Sequence, residues 1–305
     1  MQGKTFTLES PDGPAVFVHR WAPDAGAKPK ALVQIAHGAA EHAGRYERFG
    51  RVLADAGYVV YADDHRGHGK TCGGLEGRGI AGPDAWNGML RDQQQLSTLM
   101  RREHPGVPLI FFGHSMGSLI AQQYIQTWGG ELKGAVLSGS FGTLGVEPAT
   151  MVAMLEDAIN AQGADAPSET FAGMFSSFNQ GFEHQTGFEW LTRDAAEVLK
   201  YVDDPYCGFA FSNALVRDLF AGAGEIWAEA NERRIPKELP LLVASGDKDP
   251  AGGEMAAVQL LVDRYRGYGL RNVTLKAYPG ARHEILNETN RDEVHRDIVA
   301  WLDAL

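Results

Sequence analysis

Hydrophobic and polar positions alternate along this chain in two rhythms. In the first, short apolar runs are separated by stretches where apolar residues return every three or four positions. Runs near 4–9, 15–21, 31–36 and 58–62 predict strands. The first two predict an antiparallel pair across the turn Pro11-Asp12-Gly13-Pro14. Ala31-Leu32-Val33-Gln34-Ile35-Ala36 and Tyr58-Val59-Val60-Tyr61-Ala62 are apolar on both faces, as buried parallel strands require. Between them Tyr46, Phe49, Val52 and Leu53 recur at helical spacing, and Gly57 follows where a helix C-cap belongs. Residues 84–104 predict another helix, stopped by Pro105-Gly106. Further strands are expected at 108–112, 134–138, 240–244 and 273–277, with helices from Ser118 and near 254–267 and 288–303. Eight strands alternating with helices predict a mostly parallel sheet with helices on both faces.

The second rhythm occupies about 143–236. The strand–helix alternation stops, and helical, aromatic-rich sequence replaces it. Met151, Met154, Leu155 and Ile159 lie at helical spacing, followed by Phe171, Met174, Phe175, Phe178 and Phe182. The expected organisation is a core of residues 1–142 and 237–305, with a helical cap inserted after the sixth strand at 143–236. Most of these apolar residues are expected to form the cap's own core. Flexible methionines and phenylalanines are also suited to line an acyl pocket.

Composition narrows the picture. The chain has 305 residues, 44% of them hydrophobic, enough for one large α/β domain with an insertion. Its net charge of −11 argues against a nucleic-acid partner. Cys72 and Cys207 are the only cysteines, and their pairing is not legible from spacing. Met1-Gln2-Gly3-Lys4-Thr5-Phe6-Thr7 lacks the apolar run of a signal peptide, and no stretch approaches the roughly 18 apolar residues of a membrane span. A cytoplasmic protein is expected, with a small molecule as partner.

The chemistry centres on Gly113-His114-Ser115-Met116-Gly117. The apolar strand Pro108-Leu109-Ile110-Phe111-Phe112 precedes it, and Ser118-Leu119-Ile120-Ala121 opens a helix after it. This is a G-x-S-x-G nucleophile elbow in its strand–turn–helix context. The tight turn crowds its backbone, so its flanks need glycine. A serine hydroxyl needs a general base, an orienting carboxylate and donors for the oxyanion. After such an elbow, an acid and then a histidine follow in chain order.

Of ten histidines, only His283 and His295 lie far enough along the chain. His295 falls in the amphipathic run 292–298 and is expected at a solvated helix position. His283 falls in the loop Pro279-Gly280-Ala281-Arg282-His283-Glu284, just after a strand, where α/β sites assemble. It is the expected base. The acid belongs to the turn Gly246-Asp247-Lys248-Asp249-Pro250, where spacing leaves both aspartates open and Asp247 could simply cap the turn. The oxyanion donors are expected to be the N–H groups of Met116, after the nucleophile, and Ala39, in the loop His37-Gly38-Ala39-Ala40-Glu41-His42. His37 and His42 are expected to fix that loop, and Glu41 to form a local salt bridge.

Two other motifs carry less. Gly67-His68-Gly69-Lys70-Thr71 ends like a phosphate loop, but Asp64 stands where that motif needs glycine. His65, His68 and Cys72 lack a fourth ligand at metal-site spacing, so a hydrogen-bonded polar turn is the better account. Neither metal nor cofactor is expected.

With these residues in view, nearly the whole chain resembles the serine α/β-hydrolases of the monoacylglycerol lipase and lysophospholipase branch. His37 to Tyr46 is similar to the family's H-G-x-G-E-H-x-x-R-Y loop. Asp64-His65-Arg66-Gly67-His68-Gly69 is similar to its D-x-R-G-H-G turn, and residues 113–117 match its G-H-S-M-G elbow. In the cap, Trp190-Leu191-Thr192-Arg193-Asp194 and Asp204-Pro205 resemble lysophospholipase-like segments. The resemblance implies an α/β-hydrolase fold. It also implies Asp249 as the acid, three residues after the strand-ending Gly246, and His283 as the base. One position departs from the pattern. Ala40 replaces the loop's second glycine, a strained choice if the backbone there has positive φ.

The implied activity is cofactor-free hydrolysis of single-chain lipid esters, with monoacylglycerol first. A short-chain carboxylesterase and a serine aminopeptidase or amidase are the alternatives on the same fold, the last calling for an acidic group such as Glu156, Asp157, Glu169 or Glu183 near a substrate amine. A non-catalytic binding scaffold is the least favoured, since no triad member is missing.

Overall fold

The runs that are apolar on both faces become the centre of a sheet. The computed structural model describes all residues except 1, 11, 25, 27, 144–146 and 184. Its eight strands are β1 (Gln2–Leu8), β2 (Val16–Ala22), β3 (Leu32–Ala36), β4 (Val59–Asp63), β5 (Leu109–His114), β6 (Gly134–Ser138), β7 (Leu241–Gly246) and β8 (Val273–Tyr278). Their order is β1-β2-β4-β3-β5-β6-β7-β8. β2 runs antiparallel to β1 and β4, and every other pairing is parallel. The expected hairpin is present, although Pro11 of its turn lies outside the described residues. β3 to β7 are buried at every position, while the edge strand β8 is buried only at its two ends, Val273 and Tyr278. Both faces of the inner strands are covered, as parallel sheets require.

Ten α-helices accompany the sheet among the described residues: α1 (Glu47–Asp55), α2 (Ala85–Glu103), α3 (Met116–Trp128), α4 (Pro148–Gln162), α5 (Glu169–Phe178), α6 (Ala195–Asp203), α7 (Asn213–Ile226), α8 (Glu229–Glu232), α9 (Ala256–Gly267) and α10 (Arg291–Asp303). α1 and α10 cover one face, packing Phe49, Leu53, Val294, Ile298 and Leu302 against Ile110, Phe112 and Val136. α2, α3 and α9 cover the other, packing Met89, Ile120, Tyr124 and Leu261 against Phe111, Leu137 and Val243.

α4 to α8 lie between β6 and β7, and the described residues there form no strand beyond one isolated bridge, Pro167 to Ser212. They share the second face's core through Leu155, Phe171, Phe211, Leu215 and Val216. α7 also docks on α2. Its Asp218 Oδ2 accepts the Ala85 N–H at 2.7 Å, supplying the cap that α2 lacks locally. Gly222 lies so close to Trp86 that a methyl group would strike the indole.

His295 corrects one expectation. It is buried, not solvated. It lies on the inner stripe of α10 with Val294 and Ile298, its ring 5.1 Å from Phe49, and Nε2 lies 3.1 Å from the carbonyl oxygen of Leu286. That single carbonyl satisfies its polar edge, and burial holds its pKa down at about 4. Helical periodicity marked the stripe, but a histidine in it looked polar because its partner is not in the helix. Among the described residues, no helix is long and apolar enough to cross a membrane.

Candidate active site

Ser115 occupies a sharp bend between β5 and α3, with φ +52° and ψ −121°. Few side chains tolerate that backbone, and its strain marks a functional position. Neighbouring groups hold it. The Ser115 N–H donates to Ser138 O at 3.0 Å, and Ser115 O accepts from the Ser118 hydroxyl at 2.6 Å. The flanking glycines are required by contact. A methyl on Gly113 would collide with the Gly117 carbonyl, and one on Gly117 with that of Ala36. Met116 is the first residue of α3, where N–H groups have no partner inside the helix. Peptide dipoles there favour negative charge.

The loop after β3 faces this bend. A Cβ on Gly38 would lie 3.2 Å from Ser115 Cβ. Ala39, Ser115 and Met116 line one cavity. The Gly38–Ala39 peptide is pinned through its carbonyl, which accepts from His37 Nδ1 at 2.8 Å. His37 Nε2 accepts the His65 N–H at 3.0 Å, which fixes the tautomer. The peptide is trans, so its Ala39 N–H points opposite to the pinned oxygen. Burial, with His65 beside it, holds His37 well below its ordinary pKa, so it stays neutral in this role.

Asp249 and His283 meet. Asp249 Oδ2 lies 2.9 Å from His283 Nδ1, and its Oδ1 accepts the Ala251 N–H at 2.9 Å. Both side chains are buried. Burial opposes charging of the imidazole, but the Asp249 carboxylate outweighs it and lifts His283 above its usual pKa. Asp247 instead accepts the Gly280 N–H at 2.7 Å and caps the turn. Ser115 and His283 share a wall: Trp190 lines the cavity beside Ser115, and its ring centroid is 4.9 Å from that of His283. His114 packs 4.8 Å from His283, and burial beside that imidazole lowers its pKa to about 4.

A buried ion network joins the two loops. Glu41 Oε1 accepts the Gly38 N–H at 2.5 Å and the Tyr46 hydroxyl at 2.7 Å, and Glu41 Oε2 pairs with Arg45. Arg45 also grips Glu284, next to His283, through two bonds of 2.6 and 2.7 Å. Burial would raise Glu284, but Arg45 overrides it and holds the carboxyl at about 2. The local salt bridge expected of Glu41 is therefore half of a longer chain. Its second half, 239 residues away from Arg45, leaves no trace in local spacing. Arg45→Met is expected to destabilise the fold by about 3–5 kcal/mol near neutral pH, read from the urea midpoint, because two buried carboxylates lose their partner. The deficit should shrink towards pH 5, where unpaired carboxylates fold protonated. An unchanged midpoint would show the network to be idle.

The cavity has a volume of about 90 Å³ and is open to solvent. Phe171, Met174, Phe175 and Phe178 line it with Leu219 and Phe220. The expected core role holds, with Phe171 buried and Met174 and Phe175 packed against the same core, and the run lines the cavity as well. α5 is short and only Phe171 on it is fully buried, so its apolar face looks into the cavity. Phe182 packs elsewhere, under Arg282.

The remaining motifs fold as turns. His65 contacts Asp63 at 3.1 Å and His37 O at 3.2 Å, and Asp63 lifts its pKa against the pull of burial. His68 donates to Arg66 O and accepts the Ala40 N–H at 3.3 Å, burial lowering its pKa to about 3. Cys72 and Cys207 are both free thiols. His42, Asp204 and Cys207 gather donor atoms within 4.8 Å. Both ring nitrogens of His42 are already used, Nδ1 by the Gly44 N–H and Nε2 by Asp204.

Residues 27–290 match the sequence profile of the family described as serine aminopeptidase, S33. The chain is 32% identical over 292 residues to a monoacylglycerol lipase of Mycolicibacterium smegmatis, covering 92% of this chain and 90% of that protein. It is 29% identical over 299 residues to the monoglyceride lipase of Homo sapiens, covering 97% and 89%. A thermostable carboxyl esterase from Bacillus coagulans, solved with glycerol, superposes with a TM-score of 0.91 at 28% identity, over 100% of this chain and 99% of that one.

Proposed function

The chain belongs to the serine aminopeptidase S33 family and has the α/β-hydrolase fold, and from that premise we propose that it hydrolyses single-chain lipid esters, monoacylglycerols first. Ser115 attacks the acyl carbon while His283 Nε2 takes its proton. Asp249 holds the tautomer and stabilises the imidazolium. The N–H groups of Ala39 and Met116 receive the tetrahedral oxyanion, each worth about 3 kcal/mol of transition-state stabilisation. His283 then protonates the leaving alcohol, and water releases the fatty acid from the acyl-enzyme. Residues 143–236 act as the cap that encloses the acyl chain.

The lining of the cavity carries the reading. Among the described residues around it, Ser115 alone bears a hydroxyl, no residue is charged, and the rest are aliphatic, aromatic or methionine. Such a wall suits an acyl chain beside the nucleophile. It argues against an aminopeptidase, which needs a carboxylate to hold a substrate amine. Of the acids considered for that role, Glu156 pairs with Arg217, Glu183 lines a separate groove, and none of the four borders the cavity.

A chain-length series tests it. Each buried methylene contributes up to about 0.8 kcal/mol, so dodecanoyl glycerol should show at least about tenfold higher kcat/KM than the acetyl ester. Fatty-acid release is the measurement, with matched p-nitrophenyl esters and a p-nitroanilide as controls. Turnover confined to acetyl and butyryl aryl esters would reduce the function to a short-chain esterase. Preference for the anilide would make it an amidase.

A further inference from the structure

The oxyanion loop carries an alanine in a backbone conformation that alanine disfavours. Ala40 has φ +53° and is fully buried. Only a few non-glycine residues here share a positive φ, and Ser115 is another. Within the loop, the Glu41 carboxylate bridges to the Gly38 N–H, but neither polar group of Ala40 is held there, and its own restraints come from elsewhere.

They come from residues 201–208, at the end of α6 and just beyond it. The carbonyl of Ala40 accepts two hydrogen bonds from that segment, from the Tyr201 hydroxyl at 2.8 Å and from the Gly208 N–H at 2.9 Å. Asp204, within the same segment, bonds His42 Nε2 at 3.0 Å. On the other side, the Ala40 N–H is taken by His68 Nε2. Both polar groups of the strained residue are therefore held, two bonds on the carbonyl coming from 161 and 168 residues away. The donors are themselves fixed. Tyr201 is buried, with the Arg45 guanidinium 4.8 Å over its ring and Phe188 5.0 Å from it. Gly208 has φ +65°, and a Cβ there would press on Phe188 and Tyr201.

We propose that Tyr201, with the Gly208 N–H, is a positioning residue for catalysis: it clamps the left-handed Ala40 and so holds the neighbouring Ala39 N–H where the oxyanion forms. The proposal rests on the reading of Ala39 as an oxyanion donor. Tyr201 acts through the loop and touches no reacting atom. Without the clamp, Ala40 relaxes toward negative φ, and the rotation is passed to the Ala39–Ala40 peptide beside the donor. A glycine at position 40 carries no such bias, because it adopts positive φ freely. The clamp thus makes a segment of the inserted region part of the oxyanion machinery, through a residue where this chain departs from the loop pattern it otherwise follows.

The test is a double-mutant cycle of Tyr201→Phe and Ala40→Gly, assayed on p-nitrophenyl butyrate. Phenylalanine keeps the ring and its contacts and removes only the hydroxyl. With Ala40 in place, Tyr201→Phe is expected to lower kcat about tenfold or more, with KM changed less than about twofold. In the Ala40→Gly background the same substitution should cost less than about threefold, because glycine needs no clamp. An equal loss in both backgrounds would overturn the proposal and place Tyr201 against substrate or in general packing. A change in KM alone, or no loss at position 201, would also overturn it. If the wild type neither turns over the ester nor reacts at Ser115 with a fluorophosphonate, the reading of the site fails before the clamp is tested.

Discussion

Ser115→Ala is expected to lower kcat on any accepted ester by roughly 10⁴–10⁶-fold while leaving the fold intact. In the proposed mechanism the hydroxyl bonds to the acyl carbon, so no neighbour replaces it. Some rate above water should survive, because the oxyanion donors and the apolar cavity remain. Stability should barely change. Alanine at 115 inherits the same φ of +52°, and the bonds that hold the bend run through the Ser115 backbone, to Ser138 O and from the Ser118 hydroxyl. Thermal denaturation should give a melting temperature within a few degrees of the wild type. Fluorophosphonate labelling should vanish. Turnover within tenfold of wild type would remove Ser115 from the chemistry.

Asp249→Asn should cost about 10⁴-fold in kcat, and Asp247→Asn less than about tenfold. The difference follows from what each carboxylate holds. Asp249 uses one oxygen on the Ala251 N–H and the other on His283 Nδ1. An asparagine there keeps its carbonyl on Ala251 and turns its NH₂ to Nδ1. Nδ1 must then accept, the ring proton moves to Nε2, and His283 can no longer take the serine proton. Among the described residues the Asp247 carboxylate accepts the Gly280 N–H, a bond that an asparagine oxygen can still accept. The pH profile separates the roles again. In the wild type the carboxylate lifts His283 above 6.5, so the acid limb of kcat/KM should lie above that pH. In Asp249→Asn that lift is lost while burial still opposes the charge, leaving only Glu284 and Glu41 to favour it, and the limb should move to lower pH. A limb that does not move would detach Asp249 from His283, and crippled Asp247→Asn beside an active Asp249→Asn would reassign the acid.

The order of elements was open to reading because each follows from a local rule. Apolar runs of about five residues, rich in β-branched and aromatic side chains and set between helical stripes, favour strands of a covered sheet, and all eight lie within a residue or two of their expected places. Ser115 was legible because the elbow needs two glycines at fixed offsets, and backbone collisions at Gly113 and Gly117 are the reason. His283 was legible because few histidines follow the elbow and only one falls in a loop after a strand. The choice between Asp247 and Asp249 was harder. Both stand in one turn, and only family resemblance pointed to the second.

What stayed hidden depends on partners far apart in the chain. His295 was misjudged because the carbonyl that satisfies it belongs to Leu286, outside its helix. Which aromatic residues of α5 wall the cavity as well as the core was not legible, since periodicity gives the direction of a face but not what it faces. Arg45 was visible as a loop residue, yet its grip on Glu284 spans 239 positions. Tyr201 and Gly208 carried no motif at all.

The sequence alone therefore determined the fold class and singled out Ser115 and His283, the residues proposed as nucleophile and base, because strand burial, turn sterics and chain order act over a few residues at a time. Only the tertiary structure decided how the oxyanion loop is held, which aromatic side chains wall the cavity and which aspartate bonds His283. Those facts are distances between segments brought together by folding, and nothing in local spacing encodes them.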